Sequence, residues 1–134
     1  MIKREATCGC GQLMIVCTGE PTRVSMCHCF ACQRRTGSTF GVQAWFPRDA
    51  VSINSGVGKQ YERRADSGRM VILNFCPNCG TTIYWTAEQR PDLIAVAVGT
   101  FADPSFQMPR HSVWEKRQHP WITSIAEQEI EHSD

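Results

Sequence analysis

Short apolar segments alternate with turns rich in glycine and proline along most of the chain. Several segments alternate apolar with polar residues or are rich in β-branched and aromatic residues, which favours strands over helices. The pattern predicts strands over residues 2–7, 13–18, 24–26, 40–46, 58–64, 69–75, 81–85, 93–98 and 111–115. Helical turns are predicted only at residues 33–36, 47–51 and, weakly, 120–131, with Gly37 closing the first of them. The sequence therefore predicts a mainly β protein with short helical turns.

Length and composition narrow the class of protein. A chain of 134 residues can bury a hydrophobic core, and we find neither a linker nor an internal repeat, so we expect one domain over residues 1–134. The 42% hydrophobic and 20% charged shares are those of a globular protein. A net charge of +1 gives no electrostatic basis for binding nucleic acid or an acidic membrane surface. No apolar stretch follows the basic start, so we expect no signal peptide and a cytoplasmic location.

Cysteine is the compositional outlier, with eight in the chain. In a reducing compartment, clustered cysteines hold metal more often than disulfides. The sharpest signal is Cys76-x-x-Cys79 followed by Gly80, a spacing at which both sulfurs can face one ion. The alternative is that both are ordinary core cysteines. Structural zinc takes four ligands in a tetrahedron, so this pair needs two more from elsewhere in the chain.

The spacing of the other cysteines suggests which ones complete the site. Joining Cys29-x-x-Cys32 to the later pair would make a zinc ribbon. The segment between the two pairs, residues 33–75, is however far longer than the roughly 15–20 residues typical of that arrangement. That choice would also leave Cys8, Cys10 and Cys27 clustered without a role, and a mixed set is the remaining alternative. We therefore predict a closed site from Cys8, Cys10, Cys76 and Cys79, and an open three-thiolate site from Cys27, Cys29 and Cys32.

Three thiolates outweigh the two positive charges of Zn²⁺, so the second site is predicted to be anionic. Such a zinc is a weak Lewis acid, less suited to making hydroxide from water, and its sulfur-rich surroundings suit a soft ligand. A small thiol would bind there as the nucleophilic thiolate. The sequence thus predicts two zinc ions per chain and thiol chemistry at one of them. The alternative is a second structural site completed by a ligand that the sequence does not identify.

Residues near the triplet offer further candidates. Arg34 and Arg35 lie two and three residues after Cys32 and can grip a carboxylate, unless they are simply solvated. His28 lies between two ligands in an extended stretch, so its side chain should point away from the metal. Cys17 ends an apolar run and is expected to be a small buried residue, with a role as fourth ligand as the alternative.

The cysteine motifs as a set resemble a known family. Segments TCGCG at residues 7–11, SMCHCFACQRRTGS at 25–38 and CPNCG at 76–80 resemble the glutathione-dependent formaldehyde-activating enzyme family, which includes the centromere protein V group. The DPS and PRHSVW segments at residues 103–105 and 109–114 fit the closing part of that family, so the resemblance covers roughly residues 5–122.

The resemblance implies antiparallel sheets folded around a structural zinc, an arrangement called a β-tent. It also implies that the first and last cysteine pairs bind the structural zinc, and that the triplet binds a zinc proposed to be catalytic. The activity it implies is condensation of formaldehyde with glutathione to S-hydroxymethylglutathione, formally a carbon–sulfur lyase reaction.

These observations lead to one functional hypothesis and one rival. The hypothesis is a zinc enzyme in which a thiol such as glutathione attacks a small carbonyl, with His28 or His111 as the proton donor. Trp45, Trp85 and Trp114 are expected in the core or the pocket wall. The rival is a non-catalytic, zinc-stabilised thiol carrier or protein-binding module. A nucleic-acid-binding zinc ribbon is disfavoured by the near-neutral charge.

Overall fold

A computed structural model describes residues 1–122 and 130–134 of the chain. One α-helix, α1 (Phe30–Thr36), and three 3-10 turns, Arg48–Ala50, Val98–Phe101 and Glu115–Arg117, connect strands in the described residues. The strands are β1 (Lys3–Thr7), β2 (Met14–Thr18), β3 (Arg23–Cys27), β4 (Gly41–Pro47), β5 (Val51–Ser55), β6 (Lys59–Arg64), β7 (Met70–Phe75), β8 (Thr82–Ala87), β9 (Leu93–Ala97), β10 (His111–Val113) and β11 (Glu131–His132). The prediction of a mainly β fold with short helical turns is confirmed.

The strands form two sheets. The smaller has the order β1-β2-β5, and the larger has the order β11-β10-β3-β4-β9-β8-β7-β6. All pairings are antiparallel except those of β10 with β3 and with β11, which are parallel. The expected antiparallel architecture therefore holds for the described strands, apart from this edge of the larger sheet.

Strand alternation divides the larger sheet into two buried faces. On one face, Phe46 and Val96 pack with Ile15 and Ala6 of the smaller sheet in the main hydrophobic core. On the other face, Trp45, Trp85, Ala95, Ala97, Val71 and Leu73 form a second cluster. Both faces of β4 and β9 are covered, which explains why these strands are apolar throughout instead of alternating. The second face leads directly to the cysteine triplet.

Helix α1 begins earlier than the sequence pattern predicts. Cys29 is its N-cap, with Sγ accepting a hydrogen bond from the Cys32 amide at 3.3 Å, so the helix includes Phe30 onwards. Gly37 ends the helix in the left-handed conformation, at φ 71°, as predicted. A cysteine cap is not a usual helix signal, so the sequence pattern predicts too late a start for this helix.

The secondary-structure predictions need correction at three places. The strand expected over residues 111–115 ends at Val113 because Trp114 turns the chain with φ 57°. Strand β5 was not predicted, since all its residues except Val51 are exposed and give no apolar pattern. Of the helix expected at 120–131, residues 123–129 lie outside the described residues, and Glu131 belongs to a strand instead.

Candidate metal centres and the adjoining cavity

The first cysteine cluster lies where the β1–β2 turn meets the β7–β8 turn. The four sulfur atoms all lie within 4.8 Å of one another, and the Cys8–Cys10 and Cys10–Cys76 Sγ distances are both 3.7 Å. None of the cysteines is in a disulfide. A tetrahedral site with Zn–S bonds of about 2.3 Å has S–S edges of about 3.8 Å. The arrangement of Cys8, Cys10, Cys76 and Cys79 therefore fits a closed tetrahedral zinc site.

Hydrogen bonds to two of these sulfurs, those of Cys76 and Cys79, favour the thiolate form. Cys76 Sγ accepts from the Gln12 side chain at 3.0 Å and from the amides of Asn78 and Cys79 at 3.4 and 3.5 Å. Burial raises the pKa of Cys76, but these hydrogen bonds outweigh it and hold the pKa below its ordinary value. Hydrogen bonds from the Thr81 hydroxyl and amide lower the pKa of Cys79 to about 5. Ionised thiolates are what a metal requires of its ligands.

The second cluster lies at the junction of β3 and α1. Cys27 ends the strand, Cys29 caps the helix, and Cys32 lies in the first helical turn. Their sulfurs also lie within 4.8 Å of one another. Thiol hydrogen bonds from Cys27 and Cys32 lower the pKa of Cys29 to about 2, against the effect of burial. The hydrogen bond between Cys27 and Cys29 in turn raises the pKa of Cys27. The sequence-based division of seven cysteines into two sets is thus the grouping that the fold produces, and each set could hold a metal ion.

A cavity of about 230 Å³ opens beside the triplet, on the second face of the larger sheet. Strand β3 presents Cys27, Ser25 and Arg23 in turn along its wall. On β4, Gln43 pairs with Ser25, and Trp45 pairs with Arg23. Trp85 and Trp114 supply further wall, as the sequence led us to expect of the tryptophans. The cavity wall therefore combines tryptophans with polar and charged side chains, Asp66 among them, and the thiols of the triplet lie at one end.

Three arginines line this cavity and were not among the predicted site residues: Arg23, Arg63 and Arg90. Arg63 lies near the triplet, where its charge favours the thiolate of Cys29. Of the three, only Arg23 carried a signal in the sequence, because positions 23, 25 and 27 share one face of a strand. Arg63 and Arg90 reach the cavity through pairings distant in sequence, which local patterns do not reveal.

The predicted arginines lie elsewhere. Arg34 is exposed, with its guanidinium 6.0 Å from the centre of the Phe30 ring, and does not line the cavity. Arg35 lies 4.3 Å above the Trp85 ring, and a Cβ added at Gly41 would come within 2.6 Å of its Nη2. The absence of a side chain at Gly41 thus makes room for this guanidinium. The cation is placed beside Cys32, behind the cavity wall, where it offsets thiolate charge.

The two candidate proton donors are also outside the cavity lining. His28 is fully buried, its Nε2 lies 3.0 Å from Ser112 Oγ, and burial lowers its pKa. His111 lies on β10, with Nδ1 3.2 Å from Glu131 Oε2. Cys17 is fully buried and lies in the main core, apart from both clusters, and burial raises its pKa to about 12. That placement agrees with the expectation of a small apolar residue.

Within the described residues, no helix is both long and apolar enough to cross a membrane.

Comparison with known proteins places this architecture in a family. A family model described as glutathione-dependent formaldehyde-activating enzyme matches residues 3–117. A Schizosaccharomyces pombe protein named as an uncharacterized lyase is 33% identical over 85 residues, covering 63% of this chain and 58% of the relative. The match thus spans less than two thirds of that relative's length. A crystal structure of a Rhodobacter sphaeroides protein, a structural genomics target, superposes with a TM-score of 0.59 at 20% identity, covering 81% of this chain and 93% of the other, and shows the shared fold. The chain therefore belongs to the glutathione-dependent formaldehyde-activating enzyme family.

Proposed function

We propose that this protein is a zinc-dependent enzyme of the carbon–sulfur lyase type, active in the cytoplasm. It joins a small thiol, such as glutathione, to formaldehyde or a related small carbonyl. The observation that carries the proposal is the cavity itself, in which three clustered cysteines end a pocket lined by three arginines. Family membership and the lyase name of the fission yeast relative support the reaction class.

The donor set of each cluster fits zinc. The four-cysteine cluster matches a closed structural site, and Cys27, Cys29 and Cys32 provide three sulfurs with one side facing the cavity. These three residues would hold a zinc ion, and the ion would keep an incoming thiol deprotonated at neutral pH. Arg35 and Arg63 lie beside the triplet, and their positive charges offset the negative charge of its thiolates.

The cavity residues provide the conditions for the addition. The thiolate sulfur forms the new bond to the carbonyl carbon, while the electrons of the C=O bond move to oxygen, which takes a proton. Trp45 and Trp85, which are 8% and 5% exposed, provide apolar wall against which the thiol and the carbonyl can pack. Neither His28 nor His111 lines the cavity, so in this mechanism the proton comes from solvent, and the two histidines have structural roles.

The direct test is the rate at which the adduct forms and breaks down. Exchange NMR of glutathione with formaldehyde should show faster interconversion with the zinc-loaded protein than in buffer. Cys29→Ser should return the rate to that of buffer, while Arg34→Gln, which alters an exposed charge outside the cavity, should leave it unchanged. Equal rates with and without the wild-type protein would overturn the proposal.

The rival function, a thiol carrier or protein-binding module without catalysis, gives a different result in the same experiment. Glutathione would bind in a manner that depends on Cys29, yet the exchange rate would stay at that of buffer. The family description and the lyase name of the fission yeast relative favour an enzyme over a carrier.

A further inference from the structure

Two polar side chains lie side by side on the cavity wall, in the part of the wall next to the triplet. Ser25 on β3 and Gln43 on β4 both line the cavity, and they are only 2% and 6% exposed. They are direct partners in the antiparallel pairing of these strands, so their Cβ atoms are about 5 Å apart. A hydroxyl and a primary amide therefore face the cavity together, and we call these two residues the polar pair.

The amide of Gln43 lacks hydrogen bonding that burial normally requires. Its Oε1 is buried and has no hydrogen-bond partner in the part of the chain that the structure describes. Buried polar groups normally have partners, and this side chain lines a cavity that a ligand can enter. The hydroxyl of Ser25 and the amide of Gln43 each offer both a donor and an acceptor. The pair is thus suited to a ligand oxygen that accepts hydrogen bonds in one state and donates one in another.

The position of the polar pair indicates which part of a substrate it meets. Ser25 is two residues before Cys27 on the same face of β3, about 7 Å along the strand. Arg23 and Arg90 lie farther along the wall beside Trp45, at the end of the cavity remote from the triplet. Arg23 is about 13 Å from Cys27 along the strand. A small carbonyl bonded to a sulfur at the triplet spans only a few bonds, so its oxygen can reach the polar pair but not the remote arginines.

The other charged and polar groups near the triplet are less suited to that oxygen. Asp66 and Gln89 line the cavity, but both are exposed turn residues. The carboxylate of Asp66 would also repel the negative charge that develops on a carbonyl oxygen during addition. Arg63 lies near the triplet, where its charge favours the thiolate of Cys29. The polar pair is therefore the buried, uncharged donor set closest to the reacting atoms.

We propose that Ser25 and Gln43 are catalytic residues that bind the oxygen of the small carbonyl substrate. As the thiolate sulfur bonds to the carbonyl carbon, the π electrons of the C=O bond move to oxygen. The Ser25 hydroxyl and Gln43 Nε2 donate hydrogen bonds to the resulting negative charge. The oxygen then takes a proton from water, and the new hydroxyl donates to Gln43 Oε1, since the broad last torsion of the side chain lets either end of the amide face it. The inference rests on the proposed function and adds the residues that recognise the carbonyl.

Two substitutions of similar size test the donors. Ser25→Ala and Gln43→Met should each lower the rate of adduct formation about 100-fold, measured by exchange NMR with glutathione and ¹³C-formaldehyde. Their dissociation constants for glutathione alone, measured by calorimetry, should equal that of wild type, because the polar pair meets the carbonyl and not the thiol. The matched controls Ser52→Ala and Gln60→Met, which change exposed strand residues outside the cavity, should keep the wild-type rate.

Gln43→Glu separates hydrogen-bond donation from packing. A carboxylate has the shape of the amide but only accepts hydrogen bonds and adds negative charge, so the rate should fall at least as far as in Gln43→Met. Circular dichroism and zinc content establish that each variant is folded and loaded, and Ser25→Ala tests the pair independently if a Gln43 variant does not fold. The proposal is overturned if the folded variants keep the wild-type rate, if Gln43→Glu alone keeps it, or if the rate falls only in proportion to glutathione affinity.

A binding measurement distinguishes failure of the polar pair from failure of the proposed function. S-hydroxymethylglutathione is compared with S-ethylglutathione, in which a methyl group replaces the hydroxyl, by competition in ligand-observed NMR. The hydroxyl compound should bind wild type about fivefold more tightly, the effect of one hydrogen bond, and Gln43→Met should abolish this preference. If only the proposed function is wrong, the preference and its dependence on Gln43 persist although wild type does not accelerate exchange. If only the polar pair is wrong, wild type accelerates exchange, whereas Ser25→Ala and Gln43→Met change neither the rate nor the preference.

Discussion

Gln12 connects the closed cysteine cluster to the neighbouring turn, and its removal is the most informative perturbation of that cluster. Its Nε2 donates to Cys76 Sγ at 3.0 Å and to the Val57 carbonyl at 2.9 Å, and its Oε1 accepts from the Val57 amide at 3.1 Å. Cys76 has no exposed surface, so solvent cannot replace the hydrogen bond to sulfur. Gln12→Ala therefore removes one contact to a metal ligand and two to an exposed turn.

The two kinds of contact predict effects of different size. Each hydrogen bond to Val57 contributes about 1 kcal/mol or less to stability, because both are exposed. The bond to sulfur acts on the metal, and loss of a group that orients a ligand typically lowers metal affinity by about 10–100-fold. We expect Gln12→Ala to weaken zinc binding at the four-cysteine site by that factor and to leave the triplet site unchanged.

Competition with a chromogenic chelator measures both sites, because they should release zinc at different chelator concentrations. The matched control is Gln60→Ala, which removes a similar side chain whose Nε2 donates to Asn74 Oδ1 at 3.2 Å, away from both clusters. Equal zinc affinity in Gln12→Ala and Gln60→Ala would refute the reasoning that the hydrogen bond to Cys76 supports the metal.

Three further predictions concern other parts of the molecule. Arg35→Gln should lower zinc affinity at the triplet about tenfold by chelator competition, and Arg35→Lys should restore most of it; unchanged affinity would contradict the placement of this charge beside Cys32. Gly56→Ala should destabilise the protein by about 2–4 kcal/mol in urea unfolding, since Gly56 has φ +90° and an added Cβ would lie 1.9 Å from the Gln12 carbonyl oxygen. Cys17 should resist iodoacetamide at pH 8 in the folded zinc-loaded protein, because burial raises its pKa to about 12 and keeps it as a thiol well above that pH; mass spectrometry that finds it labelled as fast as in the urea-unfolded protein would contradict its burial.

The sequence predicts the two cysteine sets because ligand spacing is a local property. The pairs at Cys8 and Cys76 each need a tight turn, and glycines next to the cysteines permit it, as Gly80 shows with φ +81°. The strands of the larger sheet follow from apolar runs, whereas β5 has an exposed pattern that resembles a loop.

The arginines of the site show what local patterns miss. Arg35 follows a ligand in sequence and was therefore expected to grip substrate, but the close approach permitted by Gly41 places it behind the wall, against Trp85. Arg63 and Arg90 belong to β6 and to the β8–β9 connection, and only the strand order brings them to the triplet and the remote end of the cavity. Side-chain direction and long-range pairing are tertiary properties, so the cationic lining emerges only from the fold.

The most direct test of the central claim is zinc content per chain, measured by mass spectrometry of metal in wild type, Cys29→Ser and Cys10→Ser. The account predicts two zinc ions in wild type and one in Cys29→Ser, with the fold retained by circular dichroism. Cys10→Ser should lose the fold or its stability together with the metal, because that cluster joins two turns. One zinc ion in wild type, or unfolding of Cys29→Ser, would contradict the division into a structural site and an open reactive one.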